Sequence, residues 1–139
     1  MNIDGNGLRY NSGKAEFHTI PPQILAELAR LCTYGEIKYP PTENQANWTR
    51  GMSYNFVLNS LERHLLRFKA GESYDKELAV HHMAQVMWNA MALMWYDLNP
   101  EYKQFDDRPY KEYGVNLYLD EDTITKLNSY RHDFNKIGT

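Results

Sequence analysis

The chain has 139 residues and a formal net charge of -3, with 42% apolar and 24% charged residues. That length allows one compact domain and not two, and the composition excludes a disordered or fibrous chain. The acidic balance lacks the basic footprint of a nucleic-acid polymer binder, and the single cysteine, Cys32, excludes an internal disulfide or a multi-cysteine metal site.

Residues 1–22 hold Gly5, Gly7, Gly13, Pro21 and Pro22 without sustained periodicity, so they read as an N-terminal arm, with no apolar stretch like a secretory signal. From Pro22 to about Tyr34, Ile24, Leu25, Leu28, Leu31 and Cys32 fall on one helical stripe, and Gly35 marks its end or a kink. The segment from Tyr39 to Asn47, with two prolines and several turn formers, reads as a loop closed by Trp48. A second helix is expected from Ser53 or Tyr54 to Ala70, where Val57, Leu58, Leu61, Leu65 and Phe68 recur and Gly71 supplies the stop.

A third and longest helix is expected from about Lys76, capped by Ser73 or Asp75, to Leu98, where Asn99-Pro100 ends it. In Met83 to Leu98, 13 of 16 residues are apolar and surround the whole circumference, which places this helix at the centre of a bundle or a dimer. Gln85, Asn89 and Asp97 interrupt it, and it is shorter than the roughly 20 residues of a membrane span. A cytoplasmic protein without a membrane partner is expected. Beyond Pro100, Val115 to Leu119 alternates like a short strand or an extended segment, and Asp122 or Thr123 caps a last amphipathic stretch with Ile124, Leu127 and Phe134 on one side. The expected architecture is all-α: an arm over 1–22, a compact helical core over 23–99 and a C-terminal extension over 100–139, assembled as a homodimer or higher homo-oligomer. Met83, Met87 and Met91 together with Trp88 and Trp95 offer more apolar area than the short helices of one chain can cover.

The polar residues of the third helix carry the chemistry. His82, Gln85 and Asn89 fall at i, i+3 and i+7 on one face, and His64 turns toward the packed side of the second helix. In so apolar a setting each needs a partner: a hydrogen-bond network, a metal or a ligand. Glu72 and Asp75 stand beside the start of that helix, able to hold a divalent cation or simply to cap it. Trp48 and Tyr39 offer stacking faces and Asn47 can read a purine edge, although the same residues make an ordinary apolar lid. Gly13-Lys14 is no Walker A loop, because Ala15 stands where a Ser or Thr is needed; Arg9 and Lys14 remain as charges that an arm can fold over an anion. Asp106-Asp107-Arg108 is a further polar cluster, able to bind a metal, a phosphate or water.

Taken in order, Gly7-Leu-Arg-Tyr-Asn-Ser-Gly-Lys14, Ile20-Pro-Pro22, Tyr34-Gly-x-x-Lys-Tyr39, Asn47-Trp48, Arg63-His64-Leu65, Gly71-Glu72-x-x-Asp75 and His82 with Trp88-Asn89 resemble the phage dATP/dGTP diphosphohydrolase N-terminal domain family over roughly residues 7 to 98. The resemblance implies a mostly helical domain that splits purine deoxynucleoside triphosphates into monophosphate and pyrophosphate with Mg2+ or Mn2+. It implies Arg9, Lys14, Lys38 and Arg63 as phosphate ligands, and His64, Glu72, Asp75 and His82 as metal ligands, with His64, Asp75 and His82 catalytic. Tyr39, Asn47, Trp48 and Asn89 make up the expected base pocket. One departure stands out: Gln85 occupies the position where the family pattern carries a second histidine on the third helix. That departure motivates an alternative, a catalytically inactive protein that binds and sequesters a nucleotide immune signal.

Overall fold

The computed structural model describes residues 1–42 and 44–137, with side chains as far as Asp133. It divides into two units, Met1–Asp107 and Arg108–Thr139. No strand is present among the described residues, and no helix of the described residues is long and apolar enough to cross a membrane.

In the first unit the arm is exposed and irregular up to a short 3-10 turn, Phe17–Thr19. Helix α1 spans Pro22–Lys38, with proline at its first position, where a missing N–H costs nothing. It runs through Gly35, where an end or a kink was expected. A helix-compatible glycine weakens a helix without breaking it, and the Tyr39 N–H donates to the Gly35 carbonyl at 2.8 Å to close the last turn. The proline loop leads to a second 3-10 turn, Asn47–Arg50.

Helix α2 spans Tyr54–Lys69 and is capped at both ends as its sequence suggests. The Ser53 hydroxyl accepts from the Phe56 N–H, a contact that typically contributes about 1 kcal/mol, and Gly71 follows the helix at φ +97°. Asp107 completes the N-terminal cap from more than fifty residues away. Its carboxylate accepts from the Ser53 hydroxyl at 2.5 Å and the Asn55 N–H at 3.0 Å, while its own carbonyl accepts from the Asn55 side-chain amide at 2.7 Å. The acidic cluster near residue 107 thus closes the unit, using a negative charge where the helix dipole favours one.

Helix α3 is shorter than expected, His82–Leu98, and at 17 residues equals α1 in length. The missing turn is a tight loop. The Asp75 side chain accepts from the Glu77 N–H at 2.9 Å, Ala79 takes φ +53°, and the Asp75 N–H donates to Val80 and the His82 N–H to Ser73, both at 2.8 Å. Asp75 spends its carboxylate on turning the chain, so His81 caps α3 instead, its Nδ1 accepting from the Met83 N–H.

Helix α3 packs against both α1 and α2. The core of the unit is Tyr54, Val57, Ala92 and Tyr96, with the Tyr54 and Tyr96 rings stacked at 6.0 Å. Tyr96 is fully buried, and its hydroxyl donates to the Trp48 carbonyl at 2.5 Å, which pins the 3-10 turn onto α3. A third 3-10 helix, Pro100–Phe105, belongs to this unit although the sequence reading put it in the C-terminal extension. Its Tyr102 hydroxyl donates to the Thr49 carbonyl at 2.6 Å, and the Phe105 ring fills the space a side chain at Gly51 would take. The burial of α3 is one-sided: Met94 and Leu98 are 63% and 72% exposed.

In the second unit, helix α4 spans Glu121–Ile137 and is capped by Asp120, two residues earlier than the nearest expected cap, through the Thr123 N–H. Val115 to Leu119, expected as a short strand or an extended segment, is exposed and forms no strand, because no second strand is present among the described residues to pair with it. The expected position of Phe134 lies outside the described side chains.

The Ser53 and Asn55 donors hold the Asp107 carboxyl below its usual value of 3.8. A depressed carboxylate pKa contributes stability that is present above the unfolded value and is lost as pH falls through the folded one. Asp107→Asn is therefore expected to lower the melting temperature at pH 7, and the gap to the parent should close as pH falls below about 3.8 in a series of thermal melts.

Candidate functional site

The polar face of α3 points toward α2, and its three members lead from a cluster of metal-ligating side chains to a cavity. At the first end His82 is fully buried. Its Nδ1 lies 2.9 Å from Nδ1 of His64 on α2, so one imidazole donates and the other accepts. Its Nε2 is buried without a hydrogen-bond partner and stands 3.5 Å from Glu72 Oε1, in the loop after α2. Asp75, from the same loop, accepts from the Gln85 side-chain amide at 3.1 Å. Ligand atoms of His64, Asp75 and His82 all lie within 4.8 Å of one another, the only such group of three or more among the described residues.

The electrostatics of the cluster suit a cation. Burial pushes the His64 pKa down, and His82, Arg63 and Arg67 reinforce the shift against the opposing pull of Asp75. The Asp75 carboxyl is held below the usual range first by the Glu77 N–H, then by the Gln85 amide and the nearby imidazoles. Neutral imidazole beside ionised carboxylate is the protonation state that metal ligation requires.

Two turns along α3, Asn89 is only 4% exposed. Its side-chain nitrogen donates to the Gln85 carbonyl at 2.7 Å and to the Ser60 hydroxyl at 3.4 Å. A carbonyl only accepts, so this bond fixes which end of the amide is nitrogen, and the amide oxygen has no donor among the described residues. Asn89 lines a cavity of about 290 Å3 together with Tyr39, Asn47, Trp48, Phe56 and Trp88. A smaller cavity of about 150 Å3 is lined by Tyr34, Lys38, Leu78 and Gln85, and shares Gly35, Trp88 and Asn89 with the first. Trp48 meets Trp88 edge-on at 6.2 Å, so the aromatic walls are braced against each other.

The expected residues therefore fall into three groups. Tyr39, Asn47, Trp48 and Asn89 share the larger cavity. His64, Asp75 and His82 form the cluster, with Glu72 beside it. Lys38 lines the smaller cavity, whereas Arg9 and Lys14 lie on the exposed arm and Arg63 on the open side of α2, and none of these three lines either cavity. Sequence reasoning missed Phe56 and Ser60 as cavity residues. Their signal was their spacing of one helical turn on α2, which puts both over the same stretch of α3. It also missed that Gln85 ties the cluster to the cavity, since hydrogen-bonding partners from a loop leave no periodic trace.

Comparison with known proteins agrees with the first unit's boundaries. Residues 4–108 match the family described as dATP/dGTP diphosphohydrolase, N-terminal. A "dATP/dGTP diphosphohydrolase" of Salmonella phage PMBT28 is 32% identical over 89 residues, covering 64% of this chain and 29% of that relative's length. No solved structure matches. The match spans most of the chain and nearly all of the unit that carries both the cluster and the cavities, and on that basis the chain belongs to the dATP/dGTP diphosphohydrolase N-terminal family.

Proposed function

We propose that the first unit binds a purine deoxynucleoside triphosphate along α3 and hydrolyses it to the monophosphate and pyrophosphate. The observation that carries this reading is the hydrogen-bonded line Asn89, Gln85, Asp75, which joins an aromatic cavity to a His/Asp cluster. Tyr39, Asn47 and Trp48 flank the base, Asn89 closes the inner end of its cavity, and the triphosphate runs through the smaller cavity past Lys38 toward His64, Asp75 and His82. Arg63, beside His64 in sequence, and Arg9 and Lys14, with the arm folded over, serve the phosphates.

The donor set fits a divalent ion. Glu72, Asp75, His64 and His82 would hold it, and the buried His82 Nε2 with no hydrogen-bond partner is a ligand atom in waiting. When bound, such an ion supplies charge neutralisation of the phosphate chain and lowers the pKa of a water. Two imidazoles favour a transition ion such as Mn2+ over Mg2+. In the reaction a water oxygen bonds to the α-phosphorus, the bond to the α,β-bridging oxygen breaks, and pyrophosphate leaves. Asp75, through a carboxylate oxygen that does not hold the ion, takes the proton from that water.

A second reading, binding without turnover, draws on Gln85. Its amide sits on Asp75, and the two imidazoles bond each other, so these donors have partners inside the protein.

Incubation with dATP or dGTP and Mn2+, followed by chromatography, is expected to give the monophosphate and pyrophosphate in equal amounts. His64→Gln and Asp75→Asn should lower turnover by about 100-fold or more. Tight binding with full recovery of intact nucleotide supports the second reading instead, and absence of any binding overturns both.

We further propose a homo-oligomer built on the second apolar face of α3. Met83, Met87, Met94 and Leu98 lie opposite the buried face, and no charged residue occurs from Met83 to Tyr96, so two copies can meet on this surface without repulsion. Light scattering should give at least twice 16.4 kDa, and Met94→Lys should reduce it to the single-chain mass; a parent protein at 16.4 kDa contradicts the assembly.

A further inference from the structure

Gly35 lies inside α1, where glycine weakens a helix relative to alanine, and the fold supplies no structural reason for it. Its φ is not positive, unlike that of five other glycines in the chain, and a Cβ built on it would meet nothing within 4 Å. The space such a Cβ would enter borders both cavities, for Gly35 lines each of them. Across that junction stands Asn89, nearly fully buried, lining both cavities and holding an amide oxygen that no protein donor uses. An acceptor at a cavity wall can take a hydrogen bond from a guest there.

We propose that Gly35 and Asn89 form the subsite for the sugar of a bound nucleotide, which crosses from the larger cavity to the smaller between them. The inference rests on the nucleotide reading above and assigns the middle of the ligand. In a deoxynucleoside triphosphate the group between base and phosphates is a deoxyribose, whose one hydroxyl is at the 3′ position. That hydroxyl donates to Asn89 Oδ1, the oxygen left over once both amide protons are committed to Gln85 and Ser60. The missing side chain at residue 35 leaves room for the ring, and Lys38, nearly one turn further along α1, faces the phosphates in the smaller cavity.

The test is calorimetric titration of the full chain, parent and Gly35→Ala and Gly35→Leu, with an α,β-methylene dGTP or dATP analogue, its 3′-deoxy counterpart and inorganic triphosphate, alongside thermal melts. For the parent, loss of the 3′-hydroxyl is expected to weaken binding by about tenfold. Gly35→Ala should raise the melting temperature yet weaken the nucleotide analogue by about tenfold, Gly35→Leu should weaken it further, and inorganic triphosphate should bind all three proteins alike. Equal nucleotide affinity in parent and Gly35→Ala, or a loss accompanied by a lower melting temperature, overturns the subsite while leaving the nucleotide reading intact. Indifference of the parent to the 3′-hydroxyl removes the role of Asn89 and with it the subsite. A parent that binds no analogue overturns both readings together.

Discussion

A helix as apolar as α3 tolerates few polar side chains, because each one brought out of water must regain its hydrogen bonds inside the protein. Here three such residues, His82, Gln85 and Asn89, lie on the face that packs against α2, and their partners organise the first unit. His82 finds His64 and stands near Glu72, Gln85 finds the loop carboxylate Asp75, and Asn89 finds Ser60 and the backbone of Gln85 itself. The bonds leave two atoms with no partner among the described residues, the buried Nε2 of His82 and, at the cavity wall, Oδ1 of Asn89. One end faces carboxylates and the other lines the cavities. The network does not close on itself; it ends in an imidazole nitrogen at one side and in an amide oxygen at the other.

Packing elsewhere serves to hold that line in place. The buried apolar core is small, and much of its work falls to three tyrosines and a tryptophan. Tyr96 and Tyr102 donate to backbone carbonyls of the Asn47–Arg50 turn, which fixes Trp48 at the cavity wall. The Asp107 carboxylate fastens the end of the unit to the first turn of α2, the helix that carries Phe56, Ser60 and His64. Each of these bonds joins segments some fifty residues apart, so the site depends on contacts that local sequence does not encode.

Legibility follows the same division. Helix α2 was readable at both ends, since Ser53 and Gly71 are local signals with local causes. The grouping of polar residues on one face of α3 was readable from 3.6-residue periodicity alone. The start of α3 was not: Asp75 and Ser73 look like caps in sequence, and only the bonds from Asp75 to Glu77 and Val80, with Ala79 in the left-handed region, turn that stretch into a loop. Gly35 misled for a related reason. A glycine that reads as a helix end or a kink lies within α1, and only the folded chain shows the cavities that it lines. Of the two readings of Val115 to Leu119, a strand or an extended segment, the strand failed because alternation states what a segment can do and cannot provide a partner.

The cluster can be probed without reference to turnover. Mn2+ is paramagnetic and broadens the resonances of nuclei near it, and the five histidines, His18, His64, His81, His82 and His132, provide separate reporters. On titrating Mn2+ into protein labelled at the imidazole rings, the signals of His64 and His82 are expected to disappear first, at less than one equivalent, while that of His18 on the exposed arm stays sharp. Uniform weak broadening of all five, or loss of the His18 signal ahead of the pair, contradicts a metal centre at the head of α3.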